Sequence, residues 1–162
     1  MIFTNKYMDP IFITLEQCQG VKQMPEHHPE GDVFIHSLQV LKWAFKESID
    51  TDLILAAMLH DVGKMENSKG HEKIGVGLLK PYLSAKSLWL IEHHMRVWYL
   101  IYGEMRRLSK VQYLIGHPWL SDLILLVRWD KLGRNPNHQI KYDKDFIIEK
   151  LNRCANKHFG ST

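Results

Sequence analysis

The sequence predicts a single all-α domain, a bundle of about six to eight helices. The chain has 162 residues, a length that suits one domain with its own hydrophobic core. Apolar residues recur near the helical period in several segments, and no segment combines period-two alternation with hairpin turns. Because there is no internal repeat, low-complexity tract or linker, the domain is expected to span residues 1–162.

The first two helices are predicted from their apolar spacing and their caps. Residues 33–48 carry apolar side chains close to the helical period, and Asp32 is expected as the N-cap. A second helix is expected to begin after Asp50 or Thr51 and to continue through an apolar stretch. Gly63 is expected to end it.

Further helices are predicted in the second half of the chain. A third helix is predicted at about residues 71–82, although Gly75 and Gly77 disfavour it and Pro81 limits where it can end. Ser84 is expected to cap a long helix. The remaining predictions are a helix at about 106–114, a helix with Pro118 in its first turn, a loop at 133–137, and a last helix at about 143–158 that ends at Gly160.

Composition limits the compartment and the partners. The net charge of +3 and the pI of about 8.8 permit an anionic ligand but do not by themselves indicate nucleic acid. Cys18 and Cys154 form no CxxC pair, so neither a disulfide framework nor a thiolate zinc site is expected. The N-terminus lacks the pattern of a signal peptide, and the apolar runs are shorter than the roughly 20 residues that span a bilayer. We therefore expect a cytoplasmic protein with no membrane partner.

His60 and Asp61 are the most informative residues of the chain. They end an apolar run that begins at Ala56 and should be buried. A buried, charged carboxylate is costly unless it is paired or coordinates a metal. The chain also has ten histidines, and histidine is the commonest metal ligand. The pair therefore indicates a metal centre.

Candidate ligands fall on several of the predicted helices. Helical bundles build metal centres from inward-facing side chains on different helices. Imidazole and carboxylate ligands together suit Mn, Ni, Co, Fe, Zn or Mg, and the ligand set does not choose among these ions. The candidates are His36, His60, Asp61, His71, His93, His94 and Asp130.

Four candidates occur along the chain in an order that resembles the motif of the HD superfamily of metal-dependent phosphohydrolases. These four are His36, His60, Asp61 and Asp130. Two further stretches, PEHHPEGDVFIHS at 25–37 and GHE at 70–72, are similar to the HD domain of bacterial CCA-adding tRNA nucleotidyltransferases. The motif-bearing part runs from about 24 to 132, and the C-terminal helix lies beyond it. The resemblance implies an all-α bundle of HD type.

The resemblance also implies an activity, the hydrolysis of phosphate esters such as a nucleotide, a 2′,3′-cyclic phosphate or an RNA-end phosphate. It assigns the same four residues to a first metal ion. His71, His93 and His94 would complete a second site, with Asp61 bridging, as in two-metal members of the superfamily. Because adjacent helical side chains point about 100° apart, His93 and His94 need not both face the site.

The metal would supply the nucleophile. A bound divalent ion lowers the pKa of water and neutralises a phosphoryl oxygen, so hydroxide attacks phosphorus in line with the leaving group. Asp61 would bind metal and position the water, and Lys64, one turn later, would reach a phosphate oxygen. Lys131 and Arg134 are weaker candidates for the same contact.

Other interpretations stay open at this point. Only some two dozen residues precede the motif-bearing part, so a nucleotidyltransferase domain and nucleotide addition are not expected. The chain could instead be a non-catalytic HD module that binds nucleotide or RNA, or a di-iron oxygenase of the same superfamily. His27 and His28 suit loop packing. The aromatic run 98–102 suits the core, with base stacking as the alternative, and the basic stretch 106–110 suits a solvated face, with RNA contact as the alternative.

Overall fold

The computed structural model describes residues 2–137 and 139–160, and these form eight α-helices, one short 3-10 helix and no strand. The all-α prediction is confirmed. The helices are α1 (Asn5–Glu16), α2 (Val33–Glu47), α3 (Thr51–Leu59), the 3-10 helix (Val62–Met65), α4 (His71–Leu79), α5 (Ala85–Ile101), α6 (Leu108–Ile115), α7 (Leu120–Leu132) and α8 (Lys144–Gly160).

Side-chain caps begin three helices where the sequence predicts them. Asp32, Asp50 and Ser84 each accept a hydrogen bond from a backbone N–H in the first turn of α2, α3 and α5. Such a bond satisfies one of the N–H groups that have no partner inside the helix. The caps therefore mark where three of the central helices start.

Helix α1 was not predicted. Thr4 caps it, and its buried side chains are Met8, Ile11, Phe12 and Leu15, which are spaced at three and four residues. Pro10 lies inside the helix and obscures this pattern, because proline is disfavoured in helix interiors. The apolar spacing was the signal that could have found α1.

Helix α3 ends at Leu59, earlier than predicted, and Gly63 is not its terminator. Gly63 lies in the 3-10 helix, where a Cβ atom would sit 2.0 Å from the carbonyl oxygen of His71 and 2.8 Å from the amide nitrogen of Gly75. Glycine is required there because two segments of backbone touch. Gly63 therefore allows α4 to pack closely against the 3-10 helix that follows α3.

Other boundaries also differ from the prediction by a few residues. Helix α4 ends at Leu79, three residues before the expected end, and α6 begins at Leu108. Helix α7 begins at Leu120 with Trp119 as its N-cap, so Pro118 precedes the helix instead of occupying its first turn. Helix ends are less certain than helix centres because propensity and tertiary contacts compete there.

Helices α2, α3, α5 and α7 pack against one another at the centre of the bundle. Every side chain from Leu53 to Leu59 in α3 is buried, which explains why this helix is apolar on all sides. Helix α4 packs on α5 and the 3-10 helix, whereas α6 is peripheral, with Leu114 as its one buried residue. None of the helices described is long and apolar enough to cross a membrane.

Candidate metal centre

The first group of ligand atoms lies between α2, the end of α3 and α7. The side chains of His36, His60, Asp61 and Asp130 are buried, and one ligand atom from each lies within 4.8 Å of the others. His36 Nε2 is 2.9 Å from Asp130 Oδ1 and 3.6 Å from Asp61 Oδ2. His60 Nε2 is 3.4 Å from Asp61 Oδ2. Two nitrogens and two carboxylates therefore converge on one point.

Asp61 also belongs to a second group, with His71 and His94. Its Oδ1 atom is 3.1 Å from His71 Nε2 and 3.5 Å from His94 Nε2. The two Nε2 atoms are 3.1 Å apart. Because Oδ2 faces the first group and Oδ1 faces the second, Asp61 lies between two sets of ligand atoms.

All four histidines in these groups have the same orientation. Each Nδ1 lies within hydrogen-bond distance of a backbone carbonyl oxygen, so Nδ1 carries the proton and donates, and Nε2 faces the carboxylates. The pairs are His36 with Gly133 at 2.9 Å, His60 with Ala57 at 2.8 Å, His71 with Ser68 at 2.9 Å, and His94 with Ile91 at 2.6 Å.

The donor set fits a divalent ion. His60 Nε2 is buried and has no hydrogen-bond partner among the described residues, although it faces Asp61 and Asp130. Since His60 Nδ1 donates to a carbonyl, the Nε2 lone pair points at two carboxylates, which repel it. A cation bound among these atoms would attract both the lone pair and the carboxylates. Imidazole nitrogen and carboxylate oxygen are ligands that such ions take.

The two carboxylates are held in their ionised form. Burial raises the pKa of Asp61, but the nearby charge of Lys64 lowers it well below its ordinary value. Burial likewise raises the pKa of Asp130, while the hydrogen bond with His36 lowers it well below its ordinary value. Ionised carboxylates are the form that binds a metal.

Glu30 is a buried partner of the site that sequence reasoning missed. Its Oε1 atom is 2.7 Å from His36 Nδ1 and 2.9 Å from His28 Nδ1. Burial raises the pKa of Glu30, but the hydrogen bonds from the two histidines lower it to about 2. Burial lowers the pKa of His36, but hydrogen bonds to Asp130 and Glu30 raise it to about 9. Glu30 lies in a loop without periodicity, and the stretch 25–37 that resembles the family contains it without indicating a role for it.

His93 lies outside both groups of ligand atoms. Its ring stacks on Trp89 with centroids 4.4 Å apart, and His117 stacks on the same indole at 3.9 Å. Tyr113 accepts a hydrogen bond from Trp89 Nε1 at 3.1 Å, and Trp119 packs edge-on. We call these five residues the aromatic cluster. Because His93 and His94 are adjacent on α5, only His94 reaches Asp61.

A cavity of about 580 Å³ opens beside the two groups, and Asp61 and Asp130 lie in its wall. Lys64 also lines it, with Nζ 2.9 Å from Asp61 Oδ2. Arg134 approaches Asp130 Oδ1 at 3.4 Å and donates to the Asp130 carbonyl. The remaining basic and imidazole side chains in its wall are Lys22, Lys69, Lys131, His27, His28 and His71. Glu72 and Glu104 are further acidic side chains in the wall, and the cations beside Asp61 and Asp130 are the groups that could receive an anion next to the candidate metal ligands.

These features define a class of protein, an all-α domain with a buried histidine–carboxylate centre for divalent metal. A family model for the HD domain matches residues 33–135, which is more than half of the chain. The chain belongs to the HD domain family, so the resemblance inferred from the sequence is confirmed. Divalent metal is the cofactor of such domains, and the four-residue group is the place that could hold it.

Curated relatives share the same region. Proteins named multifunctional CCA protein from Methylococcus capsulatus and Thioalkalivibrio sulfidiphilus are 38% and 37% identical to this chain over 76 residues. A third, from Hahella chejuensis, is 36% identical over 80 residues. The matches cover 43%, 43% and 45% of this chain but only 18%, 19% and 19% of the relatives. The chain thus corresponds to a small part of each relative.

Proposed function

We propose that this protein is a metal-dependent phosphohydrolase that acts on a phosphate ester or nucleotide. One observation carries the proposal. Four buried histidines fix their Nδ1 atoms on backbone carbonyls and turn Nε2 toward two ionised carboxylates. A ring held in this way has one coordinating nitrogen already aimed, which is how metal-binding histidines are oriented in proteins.

The geometry supports a site for two ions. In this proposal His36, His60, Asp61 and Asp130 hold the first ion, and Asp61, His71 and His94 hold the second. Asp61 bridges, since its two oxygens face different groups. His93 is left out, because its ring stacks on Trp89.

The chemistry follows from charge. A bound divalent ion would lower the pKa of water and neutralise charge on a phosphoryl oxygen. Asp61 orients the reacting groups from its place between the two ligand groups. Lys64 lies beside it on the cavity wall, where its ammonium group would pair with a phosphate oxygen. Arg134 holds Asp130 in place through two contacts, and Lys131 adds positive charge at the cavity.

The experiment is a metal-reconstitution assay. Protein stripped with a chelator would be supplied with Mn, Ni, Co, Fe, Zn or Mg and tested on phosphomonoesters, phosphodiesters, 2′,3′-cyclic nucleotides and RNA with a terminal phosphate. RNA is included because the relatives are named CCA proteins. We expect hydrolysis with at least one metal, abolished in Asp61→Ala and retained in the neighbouring control His93→Ala. Absence of activity with every metal, or full activity in Asp61→Ala, would refute the proposal.

The same measurements separate the two alternatives. Purified protein that contains no metal, and whose nucleotide binding is unaffected by His60→Ala, would be a non-catalytic binding module. Bound iron together with oxygen-dependent turnover would indicate a di-iron oxygenase. Hydrolysis that requires added metal would exclude the non-catalytic binding module. Hydrolysis that proceeds without oxygen would distinguish the protein from a di-iron oxygenase.

A further inference from the structure

Three aromatic side chains line the same cavity as the cationic side chains. Trp98, Tyr99 and Tyr102 lie on the last turns of α5 and at its C-cap. The rings of Trp98 and Tyr102 are nearly parallel, with an angle of 13° between planes and centroids 6.0 Å apart. Tyr102 is 68% exposed and Tyr99 is 38% exposed, so this aromatic surface is open to a ligand.

Trp98 connects this surface directly to the metal centre. Its Nε1 atom donates a hydrogen bond to Asp130 Oδ2 at 3.1 Å. The other oxygen, Asp130 Oδ1, faces His36 Nε2 at 2.9 Å and Arg134 at 3.4 Å. The guanidinium of Arg134 in turn lies 5.8 Å from the Trp98 ring. One indole therefore fixes a metal-ligand carboxylate with its N–H and faces the cavity.

We propose that Trp98 and Tyr102 form a stacking subsite for a flat heteroaromatic group of the substrate, and that Trp98 also positions Asp130. The inference rests on the proposed function, because it names the group attached to the phosphate that the site would hydrolyse. A phosphate beside Asp61 and Lys64 leaves the rest of its ester within the same cavity, next to the aromatic surface. A nucleobase has a π-face that stacks on such rings without a fixed hydrogen-bond pattern.

The two roles can be separated by substitution. Trp98→Phe keeps an aromatic face and removes the N–H, whereas Tyr102→Leu removes a ring and leaves the bond to Asp130 intact. We expect Trp98→Phe to weaken metal binding by about 10-fold, as for other groups that orient a ligand. We expect Tyr102→Leu to leave metal affinity unchanged. Ile101→Ala is the matched control, since Ile101 is 62% exposed on the same turn and does not line the cavity.

Two substrates with the same leaving group test the stacking role. Adenosine 5′-monophosphate and ribose 5-phosphate both release a 5′-alkoxide, and only the first carries a base. We expect the wild-type protein to prefer adenosine 5′-monophosphate in kcat/KM by at least about fivefold. The preference should fall toward one in Trp98→Leu and Tyr102→Leu and persist in Trp98→Phe and Ile101→Ala. An equal preference in wild type and Tyr102→Leu would overturn the subsite.

A binding measurement makes the inference independent of turnover. Adenosine and ribose carry no phosphate, so their affinities for the metal-loaded protein can be measured by calorimetry without hydrolysis. Tighter binding of adenosine that is lost in Tyr102→Leu supports the subsite even if no ester is hydrolysed, in which case only the proposed function fails. Equal affinities for adenosine and ribose overturn the subsite even if hydrolysis is observed. Unchanged metal affinity in Trp98→Phe overturns the positioning role of Trp98.

Discussion

His93 and His94 are adjacent on α5, yet their rings lie in two different regions of the protein. His94 is 1% exposed and its Nε2 faces Asp61 in the metal centre. His93 stacks on Trp89 in the aromatic cluster, on the side of α5 where α6 lies. Both histidines donate Nδ1–H to a backbone carbonyl, so that bond does not distinguish them.

The neighbours of the ring are what differ between the two regions. In the candidate metal centre each Nε2 meets a carboxylate that nearby charges and hydrogen bonds keep ionised in spite of its burial, which suits a cation. In the aromatic cluster the rings stack face to face on an indole, and burial lowers the pKa of His93. Histidine content alone therefore does not identify ligands. In our proposal a buried carboxylate at Nε2 is the feature that marks a ligand, and the following predictions test that distinction.

The largest effect is expected from Asp61→Asn. The substitution keeps the shape of the side chain but removes the charge that faces both ligand groups. We expect activity to fall more than about 1,000-fold, beyond the loss typical of residues that only orient a ligand. The loss of activity would be measured as kcat/KM, and the bound metal would be measured by mass spectrometry. If the variant kept both its metal and its rate, Asp61 would not be a metal ligand, and the candidate metal centre would not differ from the aromatic cluster in the way we propose.

The adjacent pair His94→Ala and His93→Ala tests the contrast directly. Removing His94 deletes one of the two imidazoles that face Asp61 Oδ1, so we expect metal affinity there to fall about 100-fold or more. Removing His93 should leave metal affinity unchanged, because its ring contacts Trp89 instead. Metal titration of both variants by calorimetry measures this. Equal losses would mean that His93 also acts on the metal centre.

Much of the candidate metal centre could be predicted, because its polar side chains lie in helices that are otherwise apolar or at their ends. His60 and Asp61 stand out at the end of a buried run, and His36 and Asp130 occupy the inner faces of their own helices. The choice between His93 and His94 could not be predicted. It depends on how α5 is rotated about its axis, and packing against α3, α4 and α7 sets that rotation.

Two other features needed tertiary information. Glu30 is in a loop, where no period separates a buried carboxylate from a solvated one. The end of α3 at Leu59 reflects the contact of Gly63 with α4, which joins segments that are separate in the sequence. Local propensity predicts helices and caps well, but backbone contacts between elements decide where they stop.

The stability of the metal-free protein should depend on pH through His36. Its pKa is raised from 6.5 to about 9 in the fold. The stabilisation is therefore complete below pH 6.5 and lost as pH rises through about 9, a change of about 2–3 kcal/mol in the free energy of unfolding. Urea unfolding between pH 6.5 and 9.5 measures it. His36→Asn should flatten this dependence, whereas His93→Ala should not, because the pKa of His93 is lowered instead.

Glu30→Gln tests the partner that orients His36. Glutamine keeps the size of the side chain but loses the charge that two histidines contact. We expect metal affinity to fall at least about 10-fold. The control is Glu26→Gln, since Glu26 is exposed in the same loop. An equal effect of the two substitutions would indicate a general charge effect, not a specific role for Glu30.

The smallest effect is expected from His117→Ala in the aromatic cluster. His117 stacks on Trp89 at 3.9 Å, and α6 has few other anchors apart from buried Leu114 and the Tyr113 hydroxyl. Loss of one stacking contact should cost about 1 kcal/mol and speed amide exchange in α6. Metal affinity and kcat should be unchanged, as in the exposed α6 control Lys110→Ala. If His117→Ala weakened metal binding, α5 would transmit packing changes from one region to the other, and the two regions would no longer be separable.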